Sequence, residues 1–143
     1  MAIQVGGTTV IDNSRNLTSI ANATLSGTLT PTKIAETAVA LGNSGTAQTI
    51  NLNNGTVFTC TLTGNCTFTV SNAATIATFV LILTNDGTAG RTVAWAGGTF
   101  TFAGGAAQLN RTTGTSGVDI WVFTTVDGGS NWRGNIALRD VKA

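Results

Sequence analysis

From Gly45 onward, short apolar runs alternate with clusters of glycine, asparagine and aspartate, the pattern of a strand-and-turn module. Gln48–Leu52 and Val57–Leu62 alternate at period two, with Asn53-Asn54-Gly55 between them. Asn-Gly is a strong hairpin signal because both residues tolerate positive φ. Cys66–Val70 follows Gly64-Asn65, and Ala77–Thr84 is a more continuously apolar run that predicts a central strand buried on both faces. Arg91–Ala96, Thr99–Phe102 and Ala106–Leu109 are predicted as shorter strands. Val118–Val126 is a second long one, with Ile120, Val122 and Thr124 on one face and Trp121 and Phe123 displaced from it. Asp127-Gly128-Gly129-Ser130 then turns the chain into Asn131–Leu138. About eight strands, with a turn signal every eight to twelve residues, predict an all-β fold, an antiparallel β-sandwich or jelly-roll-like knob. No sustained internal repeat runs through it.

The first 42 residues read differently. Ile3, Val5, Val10, Ile11, Leu17, Ile20, Leu25 and Leu29 are separated by polar or small residues, which predicts short extended pieces at Ile3–Val5, Thr9–Asp12, Asn16–Ile20 and Thr24–Leu29. So few apolar residues per strand cannot form a core alone. Such a segment gains burial by winding around identical copies or lying on another protein; the other reading is a loose N-terminus. Residues 31–42 are the sole helix candidate. Thr30 or Thr32 could cap it, Pro31 suits a first turn, Gly42 could end it, and Ile34, Ala38 and Leu41 share a face. A helix this short is marginal, and an extended linker fits the same residues. The expected division is an N-terminal arm, 1–42, and a C-terminal knob, 43–143.

Composition narrows the function. Charged residues make up 9% of the chain and the net charge is +1. The basic residues are dispersed, so there is no electrostatic footprint for nucleic acid. About one residue in five is threonine, which favours strands. The run Phe79–Leu83 is far short of a membrane span, and MAIQVGGTT lacks the basic start and apolar core of a signal peptide, so synthesis in the cytoplasm without membrane insertion is expected.

Histidine is absent, which removes His-based acid–base catalysis and the commonest metal ligand. The carboxylates are Asp12, Glu36, Asp86, Asp119, Asp127 and Asp140. A glycosidase needs two of them about 5–10 Å apart, whereas Asp119 and Asp127 lie about 25 Å apart along an extended strand. Asp86 and Asp127 precede glycine in turns, where Asp bonds nearby backbone N–H groups. No enzyme, cofactor or metal site is expected. Cys60 and Cys66 would face each other across a hairpin with a three-residue loop; they form either a cross-hairpin disulfide of modest effect or two free thiols.

Two stretches carry a resemblance: VGGTTVIDNSRNLTSIANATLSGTLT (Val5–Thr30), and the span from VLILTNDGTAGRTVAWAGGTFTFAGG to DIWVFTTVDGGSNWRGNIAL. The first resembles short-strand segments near the start of bacteriophage tail-fibre-like proteins, including those of phages of cyanobacteria and other aquatic bacteria. The second is similar to a β domain at the C-terminal end of many such virion-surface proteins, with a tryptophan strand, a long apolar strand and a DGG-x-x-W turn. Here that turn is Asp127-Gly128-Gly129-Ser130-Asn131-Trp132. The resemblance implies a homotrimeric structural protein of the virion. Because the chain has no long shaft, it implies a capsid-decorating protein or short fibre, with an arm held by a capsid or tail protein and an outward knob. The alternative it leaves open is a host receptor- or glycan-binding module. Aromatic faces suit pyranose rings, and core filling is the competing role for each tryptophan. Trp121 belongs in the core by its apolar strand. Trp132, flanked by Asn131 and Arg133, is the best candidate for exposure, and with Arg111 these residues are the candidate host contact.

Overall fold

A computed structural model of the chain describes residues 3–5, 8–11, 27–28, 30–105, 112 and 117–142. The chain divides into two compact units, Met1–Ile34 and Ala35–Ala143. In the first, β1 (Ile3–Val5) pairs antiparallel with β2 (Thr8–Ile11), Val5 opposite Thr8 and Gln4 opposite Thr9. Both strands match expected extended pieces. The piece expected at Asn16–Ile20 and, apart from exposed Gly27 and Thr28, the one at Thr24–Leu29, with Leu17, Ile20, Leu25 and Leu29, lie outside the described residues.

Among the described residues of the second unit, the regular elements are strands apart from a 3-10 turn at Ala103–Gly105. Its strands are β3 (Val39–Asn43), β4 (Ala47–Asn51), β5 (Val57–Leu62), β6 (Cys66–Ser71), β7 (Ala77–Asn85), β8 (Val93–Ala96), β9 (Thr99–Phe102), β10 (Val118–Thr125) and β11 (Asn131–Val141). They form a six-stranded sheet, β3-β5-β7-β10-β11-β9, and a three-stranded sheet, β4-β6-β8. From β3 to β8 the chain enters the two sheets alternately, so each strand lies parallel to the one laid down a full turn earlier. Val39 faces Phe58 and Val57 faces Val80 in one sheet; Ala47 faces Thr67 and Cys66 faces Val93 in the other. The antiparallel pairs in this unit are β7–β10 and β10–β11, and β11 then runs parallel to β9.

The antiparallel arrangement expected from the turns is thus corrected to a mixed one. The reason lies in the turns. Asn53-Asn54-Gly55 and Gly64-Asn65 do not fold a strand back on its neighbour; they carry it across to the facing sheet. Successive corners bond to one another: Thr63 N–H donates to Ser44 Oγ at 3.0 Å, Gly45 N–H to Thr63 Oγ1 at 3.2 Å, and Thr92 N–H to Asn65 Oδ1 at 3.0 Å. At the opposite end, Asn51 Oδ1 accepts from Asn53 N–H at 3.0 Å and from Asn72 Nδ2 at 2.9 Å. Asparagine serves a corner as well as a hairpin, because its side chain replaces the backbone partner that the turn removes.

No helix forms over 31–42. Residues 33–38 are irregular and exposed, and Val39–Asn43 is a strand beside β5. Val39 and Leu41, two apart, both pack against the core. Ladder bonds and that burial outweigh a marginal short helix. The last residues assigned to the arm, 39–42, therefore belong to a strand of the six-stranded sheet. Ala106–Leu109, another expected strand, lies outside the described residues.

The two sheets share one core. Phe58, Leu62, Phe79, Leu81, Leu83, Trp121, Phe123 and Trp132 of the six-stranded sheet and Ile50, Phe68 and Val93 of the three-stranded sheet are fully buried. Trp95 of β8 reaches across to Phe123, with ring centroids 4.4 Å apart, and to Trp121 at 5.6 Å. Aromatic rings bury the largest areas of any side chains, so this cluster is the main apolar contribution to the fold. One corner depends on glycine: a Cβ at Gly97 would collide with the Val70 carbonyl, and one at Gly98 with that of Gly129.

Candidate functional site

The residues singled out for host contact do not converge on an exposed aromatic platform. Trp132 is 0% exposed. Its ring lies edge-on to Phe79 at 5.2 Å and parallel to Phe100 at 6.1 Å. The expected exposure of Trp132 is corrected by the strand's own period: Asn131 and Arg133 point outward on β11, which turns the residue between them inward. That alternation was the signal that polar flanks obscured. Arg133 is exposed and stands opposite Thr124. Asn131 is exposed but engaged, donating through its backbone N–H to Asp127 Oδ1 at 2.9 Å and through Nδ2 to Oδ2 at 2.8 Å. Arg111 lies outside the described residues.

The Asp127 turn is a closed polar knot. Buried Thr125 donates its hydroxyl to Asp127 Oδ1 at 2.8 Å and accepts from Gly129 N–H at 3.1 Å. The Asn131 side chain first, then its backbone N–H and the Thr125 hydroxyl, hold the Asp127 carboxyl down at about 2. At the other end of the unit Asp86 accepts from Arg91 Nε at 2.9 Å and from Thr88 N–H at 3.0 Å. Its carboxyl is held below the usual range, chiefly by the Arg91 guanidinium.

Asp119 opens a long strand next to Val118, and its spacing in the chain carries no signal of its role. It is fully buried. Its carboxylate accepts from Thr112 N–H at 2.8 Å, Thr112 Oγ1 at 2.6 Å and Asp140 N–H at 3.1 Å, tying the entry of β10 to the end of β11. Glu36 accepts from the Thr56 hydroxyl at 2.6 Å, and Asp140 pairs with Lys142 at 3.0 Å. Each of these five carboxylates is engaged in a scaffold contact; Asp12 lies outside the described residues.

Cys60 and Cys66 are both buried and free. They do not oppose each other across a hairpin, because β5 and β6 belong to different sheets; they project from the two sheets into the shared core. The hairpin geometry inferred for a disulfide is therefore replaced by two thiols in an apolar interior. Burial, with the neighbouring Cys66, pushes the Cys60 thiol up to about 11, and burial raises Cys66 as well. Cys66 Sγ lies 3.8 Å from the Ser44 carbonyl.

A cleft of about 310 Å³ opens at the Asn51 corners, lined by Leu52, Asn53, Thr56, Asn72, Ile76 and Thr78 among others. It offers amides, hydroxyls and aliphatic surface, a lining that can hydrogen-bond a neutral polar group and hold it against Ile76. Among the described residues no group of His, Cys, Asp and Glu is arranged to hold a metal ion, and no helix is long and apolar enough to cross a membrane. No family model matches the chain, and neither a curated protein nor a solved structure matches it.

Proposed function

We propose that this chain is a non-enzymatic structural protein of a bacteriophage particle, a capsid-decorating or short fibre protein. Its N-terminal segment attaches to a capsid or tail protein, and the unit Ala35–Ala143 stands outward as a knob, read as a two-sheet sandwich of mixed pairing in a homotrimer. The observation that carries the reading is the partition of the chain. A first unit that opens on short paired strands precedes a β unit whose described carboxylates are all engaged in holding turns and strand ends. Scattered apolar residues in such an arm bury only on assembly, which couples attachment to ordering. Synthesis is in the host cytoplasm and the mature location is the virion. Deleting residues 1–30 is expected to leave a soluble knob that no longer loads onto particles. Loading of the truncated protein at wild-type occupancy would sink the arm's role.

A second reading, a module that binds host glycan, finds support in the amide- and hydroxyl-lined cleft beside Asn53 and Asn72. On that reading Asn53→Ala with Asn72→Gly lowers cell binding while the particle assembles normally.

A further inference from the structure

The two outer faces of the β unit differ in chemistry. On the three-stranded sheet the outward residues are small or hydroxylic: Ala47, Thr49, Thr67, Thr69, Ser71 and Ala94. On the six-stranded sheet the middle of the face is aliphatic and half-buried, Val57, Val80, Ile82, Val118, Ile120 and Val122, and threonines such as Thr59, Thr61, Thr78, Thr84 and Thr124 surround it. Register aligns Val80 with Val122, and Ile82 with Ile120; Ile120 in turn stands opposite Leu138, and Val118 opposite Val141. Asp119, Trp121, Phe123 and Thr125 take the buried face of β10, so Ile120 and Val122 point away from the core. Leu138 is 56% exposed and Val141 is 40% exposed. An antiparallel strand pair with one face on the core and the other in water normally carries polar residues outside. Here the middle of the outside is branched and apolar within a rim of threonine and asparagine, and the described residues lay no second layer over it.

We infer that this outer face of the six-stranded sheet is the surface through which identical copies of the chain pack. Two properties point to a second copy as the occupant. The first is charge. Of the outward residues paired across these rows, Arg133 at one corner is the single charged one; Asp119 in the same register faces the core, and Arg139 and Asp140 fall outside the pairing at the rim. A face that meets its own copy must not confront its own like charges, and a face whose middle carries no charge meets that condition away from the Arg133 corner. The second is area. Four strands about 4.8 Å apart and about eight residues long, at about 3.3 Å per residue, present roughly 500 Å² of sheet. That is more than half of the about 800 Å² that each partner gives to a stable interface. The remainder falls to residues around the rim.

This inference rests on the homotrimer of the proposed function, and the test separates the two. Light scattering is made on the full chain, on Ile120→Thr/Val122→Thr, and on Val80→Lys. The threonine pair keeps the branched shape that the strand favours; the lysine puts like charges into any self-contact. The wild type is expected near three times 14.5 kDa. The threonine pair should shift the association midpoint at least tenfold, and Val80→Lys should run at the monomer mass with an unchanged far-ultraviolet spectrum. If Val80→Lys does not fold, the threonine pair decides. A wild-type trimer with both folded variants equally trimeric overturns the interface and leaves the trimer standing. A wild-type monomer over the accessible concentration range overturns both, and gives the face to a shell protein or to the chain's own N-terminal segment.

Discussion

Trp132 and Gly134 form one piece of packing on β11. A Cβ at Gly134 would stand 2.5 Å from Phe123 Cε1 and 2.7 Å from Phe102 Cε1. The missing side chain is the space the rings occupy, while Trp132, two residues before it, fills the cavity beside Phe79. Opposite volume changes therefore carry the same sign. Trp132→Ala is expected to destabilise by about 3–5 kcal/mol and Gly134→Ala by about 1–3 kcal/mol, read as lower urea midpoints. A Trp132→Ala midpoint within error of wild type would put that ring in solvent after all. The same interior shields the thiols. With Cys60 held at about 11, both cysteines stay protonated at neutral pH, and a thiol reagent should label them only at the rate of unfolding. Rapid labelling of the native protein at pH 7.5 contradicts that burial. Sequence carried the information for Trp132 in its period of two, but flanking polarity was weighed above period. Cys60 and Cys66 meet across the two sheets and not across a hairpin, a pairing that their six-residue spacing does not distinguish.

Strands and turns were legible to different depths. Val57–Leu62 and Thr99–Phe102 fall at the bounds their alternation predicts, because side-chain period depends on the strand itself. Partners were not legible. An alternating strand reports that one face is buried, and either a neighbour in the same sheet or a facing sheet can share the burial. The Asn-rich corners carry the same turn chemistry in both cases. The helix expected over 31–42 failed for a related reason: Val39 and Leu41 satisfy a strand's period, and the sheet supplies partners a lone helix lacks. The Asp127 turn makes a prediction at this scale. Its carboxyl ionises at about 2 in the folded protein, against 3.8 for the unperturbed group. The folded state thus binds fewer protons between those values. The turn's contribution is complete above about pH 4 and is lost as pH falls through that window toward 2. Melting temperature measured from pH 5 to pH 2 should fall less steeply in Asp127→Asn than in wild type. Equal slopes would mean that the turn does not couple to global unfolding.

In the whole molecule the last strands in sequence lie in the middle of the larger sheet. β10 sits between β7 and β11, and β9, made earlier, waits at the far edge for β11. Trp121, Phe123 and Trp132 arrive with these two strands and complete the aromatic cluster begun by Phe58, Phe79 and Trp95. On the ribosome this delays the closing of the core until Asn131–Val141 has emerged. A chain released before Val118 has its three-stranded sheet in full but a split six-stranded one, with the inner faces of β7 and β8 in water. Long-range pairing of this kind folds slowly and exposes apolar surface while it waits. A chain that stops short of β11 thus presents the surfaces that aggregation and proteolysis act on, and the arrival of β10 and β11 buries them.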